Sequence, residues 1–375
     1  MSKRLSRRRF VSQSAILGGM LTQLQDNGEA AGQINAAQTA PADAPDQLIR
    51  RMTTAFQMTQ LIYVAAKLKI ADHLAAGPRP VSELAAASGA HADSLYRVLR
   101  ALAGYGVFAE EDGQRFRLTA AAELLRSDVP NSMRSAAEVR GEDWMWRSWG
   151  ALIDSVKTGK TGFDLVYGMN TFDWFAKNPA AARLFDDFQG DLTRRSAAAV
   201  ASAYDFSSAR VIADIGGGNG TLLAAILERY PNARSILFDL PHVVEAAKKT
   251  LPVAIARRCE LVGGDFFKAV PRGADAYLVK YILHDWDDEK SRAILGTIRD
   301  AMTASAKLLV VEDLVCGPNV ACEAKLGDVN MLARTGGRNR TEQEYRDLLE
   351  SGRFRVTGVI PTRGDLALLE SNVIR

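Results

Sequence analysis

Four histidines are present, and His284 alone stands where a base could work. It follows the apolar run Tyr277 to Val279, with Lys280-Tyr281-Ile282-Leu283 between, and leads into Asp285-Trp286-Asp287-Asp288. That order reads as a buried strand opening into a loop at its carboxyl end. His73 falls in an amphipathic helix, His91 in a polar turn and His242 at a helix start beside Pro241. An imidazole with the ordinary pKa of ~6.5 is mostly neutral at cellular pH and accepts a proton. A phenol, with a pKa of ~10, is a poor nucleophile until its proton is removed. The chemistry expected of His284 is therefore deprotonation of a hydroxyl. Its second ring nitrogen needs an orienting acceptor. Glu312, closing the run Lys307 to Glu312, is well placed, with Asp285 as the local competitor.

A ligand site is expected beside this base. Val211-Ile212-Ala213-Asp214 is an apolar run ending in a carboxylate, followed by the glycine cluster Gly216-Gly217-Gly218-Asn219-Gly220 and a helix-like segment from Leu222 to Tyr230. Glycines let a backbone pass close under a ligand, and a helix N-terminus offers unpaired N–H groups. Asp239, in Leu237-Phe238-Asp239-Leu240-Pro241, ends the next strand, where an acidic side chain holds a ribose diol. Thr221 stands where a dinucleotide fingerprint has its third glycine. A nucleoside without a pyrophosphate therefore fits better than NAD, which disfavours a dehydrogenase, and S-adenosylmethionine is the ligand expected. After the third strand, Asp265 in Gly263-Gly264-Asp265-Phe266-Phe267 can accept from an adenine amino group while Phe266 supplies an apolar wall.

These residues share one architecture. Strands are expected at Val211–Asp214, Ser235–Asp239, Glu260–Gly263, Ala276–Lys280 and Lys307–Glu312, with Phe354–Ile360 and Leu366–Glu370 as a closing pair. Buried strands recurring between helices mean an open, mainly parallel α/β sheet. Ligands of such sheets bind outside the carboxyl ends of the strands. Asp214, Asp239, Asp265, His284 and Glu312 all fall at or just beyond such ends.

Upstream, Leu48, Met52, Phe56, Leu61, Val64, Ala65 and Leu68 give one helix a broad apolar face. Helices are also expected from Pro80 to Ser88 and from Ser94 to Gly104, the latter N-capped by Asp93. Val107–Ala109 and Arg115–Leu118 flank Glu111-Asp112-Gly113 as a hairpin. Helix-turn-helix plus hairpin is a winged-helix arrangement, and DNA binding is one reading of it. The second helix offers only Arg97 and Arg100 amid Leu and Ala, too few readers for a groove, so packing or dimerisation is expected instead. Residues 131–205 read as helical and hold Trp144, Trp146, Trp149, Phe163, Tyr167, Phe172, Trp174, Phe175, Phe185 and Phe188. Some must be core; others, Phe185 among them, can line a pocket for a flat aromatic substrate.

A chain of 375 residues accommodates more than one domain. The organisation expected is a leader or tail over 1–44, a winged-helix dimerisation domain over 45–130 and a catalytic domain over 131–375. A net charge of +3, much of it within the first ten residues, gives no reason to invoke nucleic acid or an anionic membrane. Cys259, Cys316 and Cys322 lack metal-ligand spacing, and no metal is expected; Cys316 and Cys322 could pair in an oxidising compartment. No apolar run approaches the ~18 residues that span a bilayer. Ser6-Arg7-Arg8-Arg9-Phe10-Val11 matches the twin-arginine export pattern, with a basic tail or an internal start at Met20 or Met52 as the other readings. Because S-adenosylmethionine is made in the cytoplasm, a cytoplasmic location is expected.

Five motifs together give a resemblance: Asp214 to Gly220, Phe238 to Pro241, Gly264 to Phe267, Lys280 to Trp286, and Gly336-Gly337-Arg338-Asn339-Arg340-Thr341. In this order they resemble the S-adenosylmethionine-dependent small-molecule O-methyltransferases, the family of plant caffeic acid and flavonoid enzymes and of bacterial enzymes for aromatic polyketides and phenazines. The resemblance runs from about residue 46 to the end and implies a Rossmann-like catalytic domain and an intertwined homodimer. It further implies that Gly216 and its neighbours Gly218 and Gly220 hold the methionine moiety, Asp239 the ribose, Asp265 and Phe266 the adenine, and Lys280 further cofactor contacts, with Asp214 and Leu240 also on the cofactor. His284 would take the proton, Glu312 would hold its ring, and Tyr281, Asn330 and Met331 would border the acceptor. Asn339 departs from the plant pattern, which has a second glutamate there; an amide can orient a histidine but cannot stabilise an imidazolium as a carboxylate does. A few members of the family use the same cofactor for hydroxylation or ring-forming chemistry, which stays open here.

Overall fold

The computed structural model describes residues 44–374. The twin-arginine-like stretch and the rest of the expected leader up to residue 43 lie outside the described residues. The chain divides into two compact units, Met1–Met52 and Thr53–Arg375. Of the first, the described part is residues 44–52, the opening of the helix Pro45–Lys67.

Three short strands, β1 (Arg79–Pro80), β2 (Phe108–Glu111) and β3 (Arg115–Leu118), form an antiparallel sheet in the order β1-β3-β2. The helices Val81–Ser88 and Ala92–Gly104 precede the β2–β3 hairpin. Leu95, Leu99 and Leu102 recur at helical spacing and are buried with Leu84, Phe108 and Phe116 in one core. Two details differ from the sequence reading. The second helix begins at Ala92 after His91, which places Asp93 in its first turn, where a negative charge favours the helix dipole. Pro80 ends a strand and caps the next helix from outside; two paired residues are too few to show a period. The apolar face expected on Pro45–Lys67 is only partly covered: Ala65 is buried, whereas Met52 and Phe56 are 63% and 54% exposed.

The main sheet follows. Its strands are β4 (Val211–Ile215), β5 (Arg234–Asp239), β6 (Cys259–Gly263), β7 (Ala276–Lys280), β8 (Lys307–Asp313), β9 (Phe354–Pro361) and β10 (Leu366–Val373), in the order β6-β5-β4-β7-β8-β10-β9. The first five are parallel, and β10 runs antiparallel to both β8 and β9. Alternate residues enter different cores: Tyr277, Val279, Leu308 and Val310 one, Leu278, Leu309 and Val311 the other. Burial on both faces is why these strands read as continuous apolar runs. β10 extends three residues beyond the expected Glu370, because polar side chains there are paired: Lys307 Nζ donates to Glu370 Oε1 at 3.1 Å and to Asn372 Oδ1 at 2.8 Å.

Chain order reverses at β4, with β5 and β6 on one side and β7 and β8 on the other. The carboxyl ends of β4 and β7 thus flank a topological switch point, the place where open α/β sheets bind ligands.

Candidate active site

The glycine cluster after β4 turns sharply under the crevice. Gly216, Gly218 and Gly220 have φ of 73°, 59° and 80°, which favour glycine. A Cβ on Gly216 would also lie 2.4 Å from Ile282 Cδ1, so a side chain there would collide with the segment leading to His284. Asp239 at the end of β5 accepts from the amides of Gly218 at 2.8 Å and Leu240 at 2.7 Å. Asn219 Oδ1 accepts from the Thr221 amide at 3.1 Å and its hydroxyl at 2.6 Å, an Asx-type turn that leads into the helix Thr221–Arg229. Asp265 accepts from Phe267 N at 2.9 Å, and Phe266 meets Phe267 and Trp286 edge-on. Leu240 is 44% exposed at the rim.

The electrostatics identify what the crevice lacks. Burial pushes the Asp214 carboxyl up to about 7 against the opposing pull of Lys280. Burial, with Asp239 and Asp187 nearby, pushes Asp186 on the helix Pro179–Ala203 to about 7 as well. Asp239 is raised by burial despite its two backbone hydrogen bonds. Lys280, donating to Thr193 Oγ1 at 3.1 Å, is lowered by burial to about 8 although Asp214, Glu312 and Asp313 favour its charge. In their ionised forms these carboxylates, Asp214 buried, Asp239 half-buried and Asp186 exposed, outnumber Lys280 and leave the crevice short of positive charge. S-adenosylmethionine, whose sulfonium and amino groups are both cationic, fits that deficit.

His284 lies in a short 3-10 turn, Leu283–Asp285, just past β7. Its Nδ1 is 3.1 Å from Glu312 Oε2, though off the line of a straight hydrogen bond, and its amide donates to Glu312 Oε1 at 3.3 Å. Asp285 faces the other nitrogen, Nε2, at 3.9 Å, beyond hydrogen-bond range. A carboxylate at Nδ1 favours the tautomer with its proton there and leaves Nε2 free to accept. The ring of Tyr281 stacks on the imidazole, centroids 5.1 Å apart, and its hydroxyl donates to Asp313 Oδ2 at 3.0 Å. Tyr281 adopts φ 55°, left-handed backbone that a bulky side chain rarely takes.

Burial opposes protonation of His284, but Glu312 most of all, with Asp285 and Asp313, outweighs it and holds the imidazole above its usual 6.5. A base must be neutral, so the acid limb of a kcat–pH profile is expected above that value. Glu312→Gln removes the main source of the rise. The acid limb should then move to lower pH with a lower plateau at alkaline pH; an unmoved limb would sever Glu312 from His284.

Two residues behind the loop hold it in place. Arg340, 1% exposed, donates from Nη1 to Leu283 O at 3.0 Å and from Nη2 to Trp286 O at 3.1 Å and Asp288 Oδ1 at 2.7 Å. Gly337 lets two segments touch, since a Cβ there would sit 2.0 Å from His284 O.

The residues expected around the acceptor sit as follows. Asn330 Oδ1 accepts from Trp149 Nε1 at 3.1 Å. Met331 is buried near the end of the helix Glu323–Arg334. Phe185 is 8% exposed, stacks on Phe175 at 5.1 Å and meets Trp144 edge-on. Asn339 Nδ2 donates to Ala324 O at 3.2 Å and its Oδ1 has no partner among the described residues, while the ring of His284 is met by Glu312, Asp285 and Tyr281. Asp186, Arg334 and Arg340 belong to the site region and were not singled out from the sequence. Paired carboxylates Asp186-Asp187 and Arg334 after the apolar Met331-Leu332-Ala333 are the available signals; Arg340, in the polar run Arg338-Asn339-Arg340-Thr341, has none of its own. Cys316 and Cys322 are joined in a disulfide.

A glycine-turned crevice short of positive charge, beside a carboxylate-backed histidine on a mixed sheet, defines a nucleoside-dependent group-transfer site. The profile of the O-methyltransferase domain matches residues 149–355, and that of the O-methyltransferase dimerisation domain residues 51–128. The chain belongs to this family of S-adenosylmethionine-dependent methyltransferases.

It is 44% identical over 328 residues to phenazine O-methyltransferase PhzM of Lysobacter antibioticus, covering 87% of this chain and 96% of that one. It is 31% identical over 308 residues to the phenazine-1-carboxylate N-methyltransferase of Pseudomonas aeruginosa, covering 80% and 90%. The crystal structure of LaPhzM superposes with a TM-score of 0.86 at 43% identity, covering 88% of this chain and 99% of that chain. An O-methyltransferase from neocarzinostatin biosynthesis, solved with S-adenosylmethionine and 2-hydroxy-5-methyl naphthoic acid, gives 0.74 at 30% identity, covering 84% and 96%.

Proposed function

We propose that the protein is a homodimeric O-methyltransferase acting on a hydroxyl of an aromatic small molecule, with His284 as general base. Residues 45–130 serve dimerisation, in keeping with the half-exposed apolar Met52 and Phe56, and 131–375 catalysis. The observation that carries this reading is the histidine held by Glu312 and Tyr281 at the carboxyl edge of β7, next to the crevice. When bound, S-adenosylmethionine supplies an electrophilic methyl group on its sulfonium sulfur. Asp239, Asp265, Phe266 and Lys280 bind and orient the nucleoside, and Asp186 with Asp214 offset its positive charge. His284 Nε2 takes the hydroxyl proton, and Glu312 stabilises the imidazolium that results. Alignment of the hydroxyl and this proton transfer supply most of the rate.

Relatives named for nitrogen methylation, one of them of an 8-amino compound, favour a second reading, an amine acceptor. An amine nitrogen already has a free lone pair and needs no base, so the His284–Glu312 pair favours oxygen. The test is S-adenosylhomocysteine release over a panel of phenols, hydroxylated polycyclic aromatics and aromatic amines. Turnover on hydroxyls is expected; turnover confined to amines would overturn the reading. Among the described residues no group of three or more His, Cys, Asp or Glu side chains could hold a metal, so the rate should survive EDTA.

A further inference from the structure

One charged side chain is unused by this account. Arg334, the last residue of the helix Glu323–Arg334, is 3% exposed, and its Nε and Nη2 have no hydrogen-bond partner among the described residues. Those two groups form the side-on edge of a guanidinium, the parallel donors that grip both oxygens of a carboxylate. The chain uses that edge elsewhere: Arg126 donates from Nε and Nη2 to the two carboxylate oxygens of Asp128 at 2.9 and 2.7 Å. At Arg334 the edge is unmet. The Phe185 and Trp144 rings lie 4.6 and 5.9 Å from its central carbon; burial lowers its pKa, and Asp285 opposes that by favouring its charge. These contacts steady a cation without taking its N–H groups. Trp144 Nε1 is a further buried donor with no partner. Buried charged donors are costly to desolvate and are retained where something receives their bonds. Here the unmet donors belong to the aromatic set that surrounds Arg334, beside the carboxylate next to His284.

We propose that the acceptor is an aromatic carboxylic acid, its carboxylate received by the Nε–Nη2 edge of Arg334 with help from the Trp144 indole N–H. This rests on the hydroxyl-methylation reading, since it places the acid's hydroxyl at His284. Both donors are sealed from water, so the side chains around them must part to admit the acid. Charge-assisted bonds made in such a desolvated place discriminate strongly between an acid and its neutral parent.

The test is calorimetric binding of a hydroxynaphthoic acid and of the matching naphthol to the full chain loaded with S-adenosylhomocysteine. The acid is expected to bind more tightly, and R334Q should reduce its advantage by about 10- to 100-fold. R334K, a cation without the planar fork, should restore part of it, and W144F, which keeps an aromatic ring, should lower it several-fold. Equal binding of acid and naphthol, or a proportionate loss of both in R334Q, would overturn the proposal. Release of S-adenosylhomocysteine is read separately on both compounds. Turnover of the naphthol without acid preference defeats only this inference; acid preference without methyl transfer to either defeats only the methylation reading.

Discussion

His284→Ala is expected to lower kcat by about 10²- to 10⁴-fold, the usual contribution of a positioned base. The imidazole has Glu312 at Nδ1, while Asp285 stands 3.9 Å from Nε2, beyond hydrogen-bond range, which leaves Nε2 able to accept a proton. Asp285 is buried and raised in pKa by burial, but it lies on the imidazole's own loop and is offset by His284 and Arg334. The cofactor crevice is built from β4, β5, the loop after β6 and Lys280 at the end of β7, and the imidazole is not among its contacts, so the variant should keep its thermal stabilisation by S-adenosylhomocysteine. That separates lost chemistry from lost fold. The residual rate should also lose the acid limb, because the titrating base is gone. A loss below about tenfold would mean that proton removal is not part of the slow step, as with an amine acceptor.

Arg340→Leu should destabilise the fold by about 3 kcal/mol or more and lower kcat as well. Its guanidinium is almost fully buried and bridges Leu283 O, Trp286 O and Asp288 Oδ1, so its loss takes the charged donor from two loop carbonyls and leaves them the Ser291 hydroxyl at 3.2 and 3.4 Å. Asp288 is half exposed and little of the loss comes from that ion pair. The carbonyls flank His284, so the base loses its position before the fold is lost. Arg340→Lys keeps the charge but cannot reach both carbonyls, and should fall between. Equilibrium denaturation reads the first effect and turnover at low temperature the second. A change of less than about 0.5 kcal/mol, the scale of a neutral surface substitution, would remove Arg340 from this role.

Much of the catalytic sheet was legible because buried parallel strands are written as apolar runs, and Asp214, one residue before the end of β4, and Asp239, which ends β5, interrupt those runs abruptly. His284 stood out because so few histidines compete with it. What escaped has a common cause. Arg340 reaches carbonyls 57 and 54 residues earlier in the chain, and Trp149 meets Asn330 across 181. Arg334 gains its meaning from rings on two other helices. No local period encodes such encounters. Asn339 shows the same limit from the other side: its place beside the motif Arg suggests a partner for histidine, and only the structure shows that its N–H binds the carbonyl of Ala324 while its oxygen is unpartnered among the described residues. β10 was read short because paired polar residues at its end look like a loop until the Lys307 that binds them is in view.

The most direct test of the central claim is to follow a ¹³C-labelled methyl group from S-adenosylmethionine into a hydroxylated aromatic acceptor, counting S-adenosylhomocysteine released per label transferred, in the native protein and in His284→Ala. The account predicts one methyl ether carbon for each S-adenosylhomocysteine, with both falling together in the variant. Label found on nitrogen or carbon, or ether formation that persists undiminished without His284, would contradict it.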